Sequence, residues 1–173
     1  MHDFRTLRIA VAAALLVVPA CGDDDDPSGP ATSFSAALSG ANEVPSVPTS
    51  ATGSATLSLS GDQITYTVNV TNLQNAVVAH IHIAPVGENG PVRMNLCGTG
   101  DPQPACTSGT GVLATGTNGT TVGSPAISFD SLVSAMRTGG AYVNVHTDDG
   151  QGAPNTGPGD MASGEIRGQV VTN

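Results

Sequence analysis

From residue 34 onward, apolar residues recur at every second position in short runs separated by glycine, proline and small polar residues. Alternation at period two marks a strand with one face in a core. "FSAAL" (34–38) ends at Ser39-Gly40. In "GSATLSLSGDQITYTVNVTNL" (53–73), Ala55, Leu57 and Leu59 alternate, then Ile64, Tyr66, Val68 and Val70, with Gly61-Asp62 between. This pattern predicts a β-hairpin turning at that dipeptide. Further strand-like runs are "VVAHIHIA" (77–84), "VRMNL" (92–96), "GVLATGT" (111–117), "AYVNVHT" (141–147) and "GEIRGQVV" (164–171). One segment breaks the rule. In "FDSLVSAMRTGG" (129–140), Phe129, Leu132, Val133 and Met136 share a helical stripe that Gly139-Gly140 stops, which predicts one short helix. Seven or eight short strands with turns at this spacing predict an all-β fold, an antiparallel sandwich or small barrel.

Parity sorts the side chains of the later strands into faces. Val77, Ala79, Ile81 and Ile83 point one way, against Val78, His80, His82 and Ala84. Ala141, Val143 and Val145 oppose Tyr142, Asn144 and His146, while Ile166, Gly168 and Val170 oppose Glu165, Arg167 and Gln169. Each strand has one apolar face for the core, so the histidines and charges belong to the opposite face, outermost or beneath a covering loop.

Composition supports this picture: 22 Gly, 12 Pro and no Trp suit short strands and frequent turns. Fourteen acidic against 5 basic residues give a formal charge of −9, which argues against nucleic acid as a partner. The start of the chain reads differently. Arg5 and Arg8 precede the apolar "IAVAAALLVV", too short for a membrane span, and then Pro19-Ala20-Cys21. Residues 1–20 are expected to be a secretory signal. "VVPAC" resembles the lipobox of bacterial lipoproteins, which implies lipidation of Cys21 and a membrane anchor there. The acidic "GDDDDPSGPATS" that follows makes residues 21–33 a tether, and residues 34–173 the folded domain. Cys97 and Cys106 flank a Gly/Pro loop, and in an exported chain they are expected to form a disulfide.

Four blocks resemble, in order, those of the CHRD domain, named for chordin: "FSAALSGANEVPSVPTSATGSATLSL", "AHIHIAPVGENGPV", "AYVNVHT" and "GEIRGQV". Ordered blocks over roughly residues 34–171 are more specific than any single motif. The resemblance implies an immunoglobulin-like β-sandwich and an exported module. It implies no activity for a bacterial member.

The chemistry therefore has to come from the residues. His80 and His82 leave one strand on one face, about 7 Å apart, and His146 occupies the equivalent face of another. Such a set suits copper or zinc, with Glu43 or Glu165 adding a carboxylate or orienting an imidazole. A polar cluster tying strands together, with a Glu165–Arg167 pair along one strand, is the competing reading. Asp148, Asp149 and Asp160 match no calcium-loop spacing and read as a solvated loop. No nucleophile elbow or phosphate loop is present, and aromatic residues are too few for a sugar platform. The sequence thus leads first to a non-catalytic binding or adhesion module at the bacterial cell envelope, facing an unidentified protein or envelope ligand. The alternative is a metal-binding extracytoplasmic protein, one form of which is an oxidoreductase.

Overall fold

The computed structural model describes residues 30–100, 102–153 and 157–173. The signal at 1–20, Cys21 and most of the tether lie outside the described residues. Nine strands form, in chain order: β1 (Ser33–Ser39), β2 (Thr52–Ser60), β3 (Gln63–Leu73), β4 (Ala76–Ile83), β5 (Val92–Cys97), β6 (Gly109–Asn118), β7 (Ala141–Thr147), β8 (Ile166–Gln169) and β9 (Val171–Thr172). A 3-10 turn, Gly40–Asn42, follows β1, and the helix α1, Phe129–Arg137, precedes β7. Among the described residues the architecture is all-β and antiparallel with a single α-helix, as the alternation and the one helical stripe indicated.

All strands join one sheet in the order β5-β4-β7-β8-β1-β2-β3-β6, with β9 also on β1. The β2–β3 hairpin turns at Gly61-Asp62, pairing Ser60 with Gln63. Gly61 takes φ +57 there, which a residue without a Cβ adopts at no steric cost. The sheet curls so that its ends meet. Tyr66 on β3 donates its hydroxyl hydrogen to the Leu96 carbonyl on β5 at 2.5 Å, and Asn118 Nδ2 reaches the Asn95 carbonyl at 2.9 Å. Phe34, Leu57, Ile64, Tyr66, Ile81, Met94, Leu113 and Ile166 fill the interior from all sides of the curl.

The helix closes one end of this core. The Ser128 side chain accepts from Ser131 N–H as N-cap, Asp130 sits in the first turn and Arg137 in the last, complementing the helix dipole. Leu132, Val133 and Met136 form its buried stripe. Cys97 and Cys106 are disulfide-bonded, with Cα atoms 5.2 Å apart, tying the end of β5 to the loop before β6.

Neighbouring strands β4, β7 and β8 carry their polar parity on one face. In register, His82 lies opposite Tyr142 and Tyr142 opposite Gln169; one row on, His80 lies opposite Asn144 and Asn144 opposite Arg167. That face is not open to water. Tyr142 and Arg167 are 2 % exposed, Asn144 3 % and His82 7 %, and beside them Glu165 and Thr147 are 0 % exposed. Three irregular segments around it, roughly residues 40–51, 84–91 and 157–164, are hydrogen-bonded to its side chains.

Candidate metal centre

The alternation of Ala79 and Ile81 into the core leaves His80 and His82 on the covered face of β4. On β7, Val143 and Val145 do the same for His146, whose register partner on β4 is Val78. The three imidazoles meet there. Ring centroids lie 5.2 Å apart for His80–His146, 5.7 Å for His80–His82 and 6.0 Å for His82–His146. Each ring offers a nitrogen within 4.8 Å of the others.

The hydrogen bonds decide which nitrogens are free. His82 Nδ1 lies 2.9 Å from the Gly90 carbonyl oxygen and His146 Nδ1 lies 2.9 Å from the Ala162 carbonyl oxygen. A carbonyl can only accept, so each Nδ1 carries the proton and each Nε2 presents a lone pair. The buried ring nitrogens without a hydrogen-bond partner are His82 Nε2, His146 Nε2 and His80 Nδ1. Buried polar atoms are almost always paired, so three orphans in one cluster demand a reason.

Burial is the main cause of a shared electrostatic trend. It drives the His80 pKa down to about 4, helped by the neighbouring His146 and His82. His82 also falls to about 4 through burial, opposed by the Gly90 hydrogen bond and aided by His146 and Arg167. His146 is lowered by burial against its bond to Ala162. Neutral imidazoles are therefore the resting state at neutral pH, which is the form that ligates a metal.

Around the triad stands a second set of contacts. Tyr142 stacks on His82 at 4.7 Å with 12° between the planes, and the Arg167 guanidinium lies 3.5 Å from the Tyr142 ring centroid. The Tyr142 hydroxyl accepts from Gly90 N–H at 3.1 Å and donates to the Gly90 carbonyl at 3.3 Å. Parity placed Tyr142 and Asn144 on this face. Nothing in the sequence pointed to the carbonyls of Gly90 and Ala162, because backbone acceptors leave no residue-type signal.

The oxygens of both carboxylates named from the sequence are engaged away from the three imidazoles. Both Glu43 oxygens accept from Asn144 Nδ2, at 3.0 and 3.1 Å. Burial raises the Glu43 pKa to about 7 against the opposing pull of Arg167 and Asn144. Glu165 Oε1 accepts from Thr49 Oγ1 at 2.6 Å; Oε2 accepts from Thr147 Oγ1 and from Gly159 N–H, both at 2.7 Å. Its pairing with Arg167 is replaced too. Arg167 donates to Asn89 Oδ1 at 3.1 Å and to the carbonyls of Glu88 at 2.8 Å and Pro85 at 3.4 Å.

Asp148, Asp149 and Asp160 also bring one oxygen each within 4.8 Å of one another. Asp148 and Asp149 are exposed, and each caps its own turn through Gly150 N–H or Gln151 N–H at 2.8 Å. That is the behaviour of a solvated loop.

No curated protein matches the chain at a significant level. A family model does: the CHRD domain, over residues 34–154, which takes in β1 to β7 with His80, His82 and His146. Most of the folded region lies within that match, and the chain belongs to the CHRD-domain family.

Proposed function

We propose that this CHRD-domain chain is an exported, lipid-anchored module of the bacterial cell envelope that binds one zinc or copper ion through His80, His82 and His146, without a catalytic step of its own. One observation carries the metal reading. Three buried ring nitrogens lack hydrogen-bond partners, the same three rings each bring a nitrogen within 4.8 Å of the others, and two of the rings are held by carbonyls in the tautomer that leaves Nε2 a lone pair. Nitrogen-only ligation suits zinc and copper and disfavours magnesium or calcium. Nitrogens on one zinc ion stand roughly 3.3 Å apart, given bonds of about 2.0–2.1 Å. From a present spread of up to 4.8 Å, the rings draw closer when the ion binds. His80 and His146 are half-buried, which leaves the ion a route in from solvent.

The export and anchor rest on the residues before the domain: the basic and apolar run, Cys21 after Ala20, and the four-aspartate tether. An acidic chain with a small metal-binding face fits a module that acts by holding an ion or by metal-dependent contact. A plain packing cluster is the second reading; the edge-to-face approach of His80 to both other rings favours it.

The test uses the domain without signal or histidine tag. Calorimetric titration with zinc and with copper(II) should give one ion per chain, lost on His82→Ala while the circular dichroism spectrum stays unchanged. A folded protein that takes up neither ion overturns the metal reading. In the full chain, Cys21→Ser should move the protein from the membrane fraction to the soluble one; an unchanged distribution overturns the anchor.

A further inference from the structure

The two carbonyls that fix the imidazoles lie on irregular segments, and both segments are held by side chains of the same stretch of chain. Arg167, on β8, spans β7 to reach the 84–91 turn, with bonds to Asn89 Oδ1 and the carbonyls of Glu88 and Pro85. The turn has few bonds of its own, Glu88 N–H to the Pro85 carbonyl at 3.2 Å and Ile83 N–H to the Pro91 carbonyl at 3.3 Å. Glu165, just before β8, takes Gly159 N–H and Thr147 Oγ1 on one oxygen, and Thr147 Oγ1 in turn accepts from Met161 N–H at 2.9 Å. Those bonds hold the 157–164 loop on which Ala162 sits.

We infer that Glu165 and Arg167 are positioning residues for the histidine site: Arg167 sets the tautomer of His82 through the Gly90 carbonyl, and Glu165 sets that of His146 through the Ala162 carbonyl. The two act separately, one per loop. This explains why a carboxylate and a guanidinium two residues apart ignore each other, although both are buried. Each bonds instead to a covering segment, Arg167 to Asn89 and the carbonyls of Glu88 and Pro85, Glu165 to Gly159 N–H and, with it, to the hydroxyls of Thr49 and Thr147. With its carbonyl acceptor displaced, an imidazole can carry its proton on either nitrogen, and the inward lone pair is lost for part of the population. The link to affinity rests on the metal reading above, whereas the link to tautomer does not.

Nitrogen-15 NMR of the metal-free protein at neutral pH reads each histidine's tautomer directly. Wild type should show Nδ1–H for His82 and His146. Arg167→Gln should give mixed tautomers at His82 alone, and Glu165→Gln at His146 alone, with Arg167→Lys restoring His82 in part. Should the buried substitutions prevent folding, Tyr142→Phe and Thr147→Val loosen the same two segments more gently, and the same separation is expected. Zinc titration of these variants should show affinity about 10–100-fold weaker, the usual scale for groups that orient a ligand. Equal disturbance of both histidines in every variant, or of neither, overturns the inference, since a general loosening of the fold would move both. Separated tautomers in a protein that binds no zinc uphold the latches and remove only the metal reading.

Discussion

One sheet serves two different surfaces. Along β2 and β3 the outward positions are hydroxyl and amide side chains left to water: Thr56, Ser58, Gln63 and Thr65 among them. Along β7 and β8 the equivalent parity carries Tyr142, Asn144, His146 and Arg167, nearly all shut away from solvent. On the open half a polar group needs no protein partner because water supplies one. On the covered half each polar atom must find its partner within the fold, and most do. The exceptions on that half include the inward nitrogens of the three histidines. The covered half is thus where a polar residue carries information, because leaving one unpaired has a cost there and almost none on the open side.

The largest difference between the halves should come from Glu165→Ala. It strips Gly159 N–H, Thr49 Oγ1 and Thr147 Oγ1 of a charged acceptor in a site without water access. Losing one partner of a buried charged network costs about 3–5 kcal/mol. Urea unfolding should show a loss on that scale, and one below about 1 kcal/mol would mean that this half is wetter than its burial implies.

Gly164→Ala probes the same region from the backbone. A Cβ there would lie 2.5 Å from Asn144 Nδ2, 2.6 Å from its Oδ1 and 2.9 Å from Glu43 Oε1, at φ +123. The Asn144–Glu43 pair has no slack to absorb it, so about 2–4 kcal/mol is expected from clash and left-handed strain together. Gly61→Ala on the open hairpin, with nothing within 4 Å, bears the strain alone and should cost about 1 kcal/mol. Paired melts of the two variants measure the difference.

How much of this contrast the residues announce follows the same division. Period-two alternation located the hairpin with its turn at Gly61-Asp62, and parity put His80, His82, His146 and Arg167 on one face, whereas Glu165 falls just before β8 and turns its oxygens to Thr49, Thr147 and Gly159. Parity cannot say whether the second face is covered. The covering segments are rich in glycine and proline and have no period, and what seats them is long-range: Arg167 to Glu88 across 79 residues of chain, or Asn89 Nδ2 to the Val44 carbonyl across 45. Glu165 and Glu43 were natural candidates for ligands because carboxylates are. Their true partners are backbone amides, threonine hydroxyls and the Asn144 amide, which spacing along the chain does not reveal.

Acid should act almost entirely on the covered half. His80 and His82 bind protons near pH 4 when folded and near 6.5 when unfolded, so the unfolded chain takes up protons first as the pH falls. Their contribution is intact above about 6.5 and is lost on the way down to about 4. Glu43 works the other way. Its folded pKa of about 7 exceeds the ordinary 4.5, so its proton stabilises below 4.5 and that benefit disappears as the pH rises through 7. Three depressed imidazoles outweigh one raised carboxyl, so stability should climb from pH 4.5 to 6.5. Allowing for water at the half-buried His80, the net change is of the order of 2 kcal/mol. Glu43→Gln removes the opposing group and should steepen the climb in urea titrations at stepped pH. A profile flat between 4.5 and 6.5 in both proteins would mean that the histidines are hydrated.

The smallest effect belongs to the open half, and it tests the comparison from its other side. Thr65 Oγ1 meets Thr117 Oγ1 at 3.1 Å across β3 and β6, both exposed. Removing the hydroxyl in Thr65→Ala leaves the Thr117 hydroxyl free to turn to water, so no desolvated group is stranded. What remains is the lower strand preference of alanine and one cross-strand contact, together under about 1 kcal/mol. Zinc affinity and the His82 and His146 tautomers should not move at all, because no hydrogen bond of the 84–91 or 157–164 segments originates on this face. A substitution here that disturbed the histidines would show that the two halves of the sheet are mechanically coupled, and the independence of the latches would fail with it.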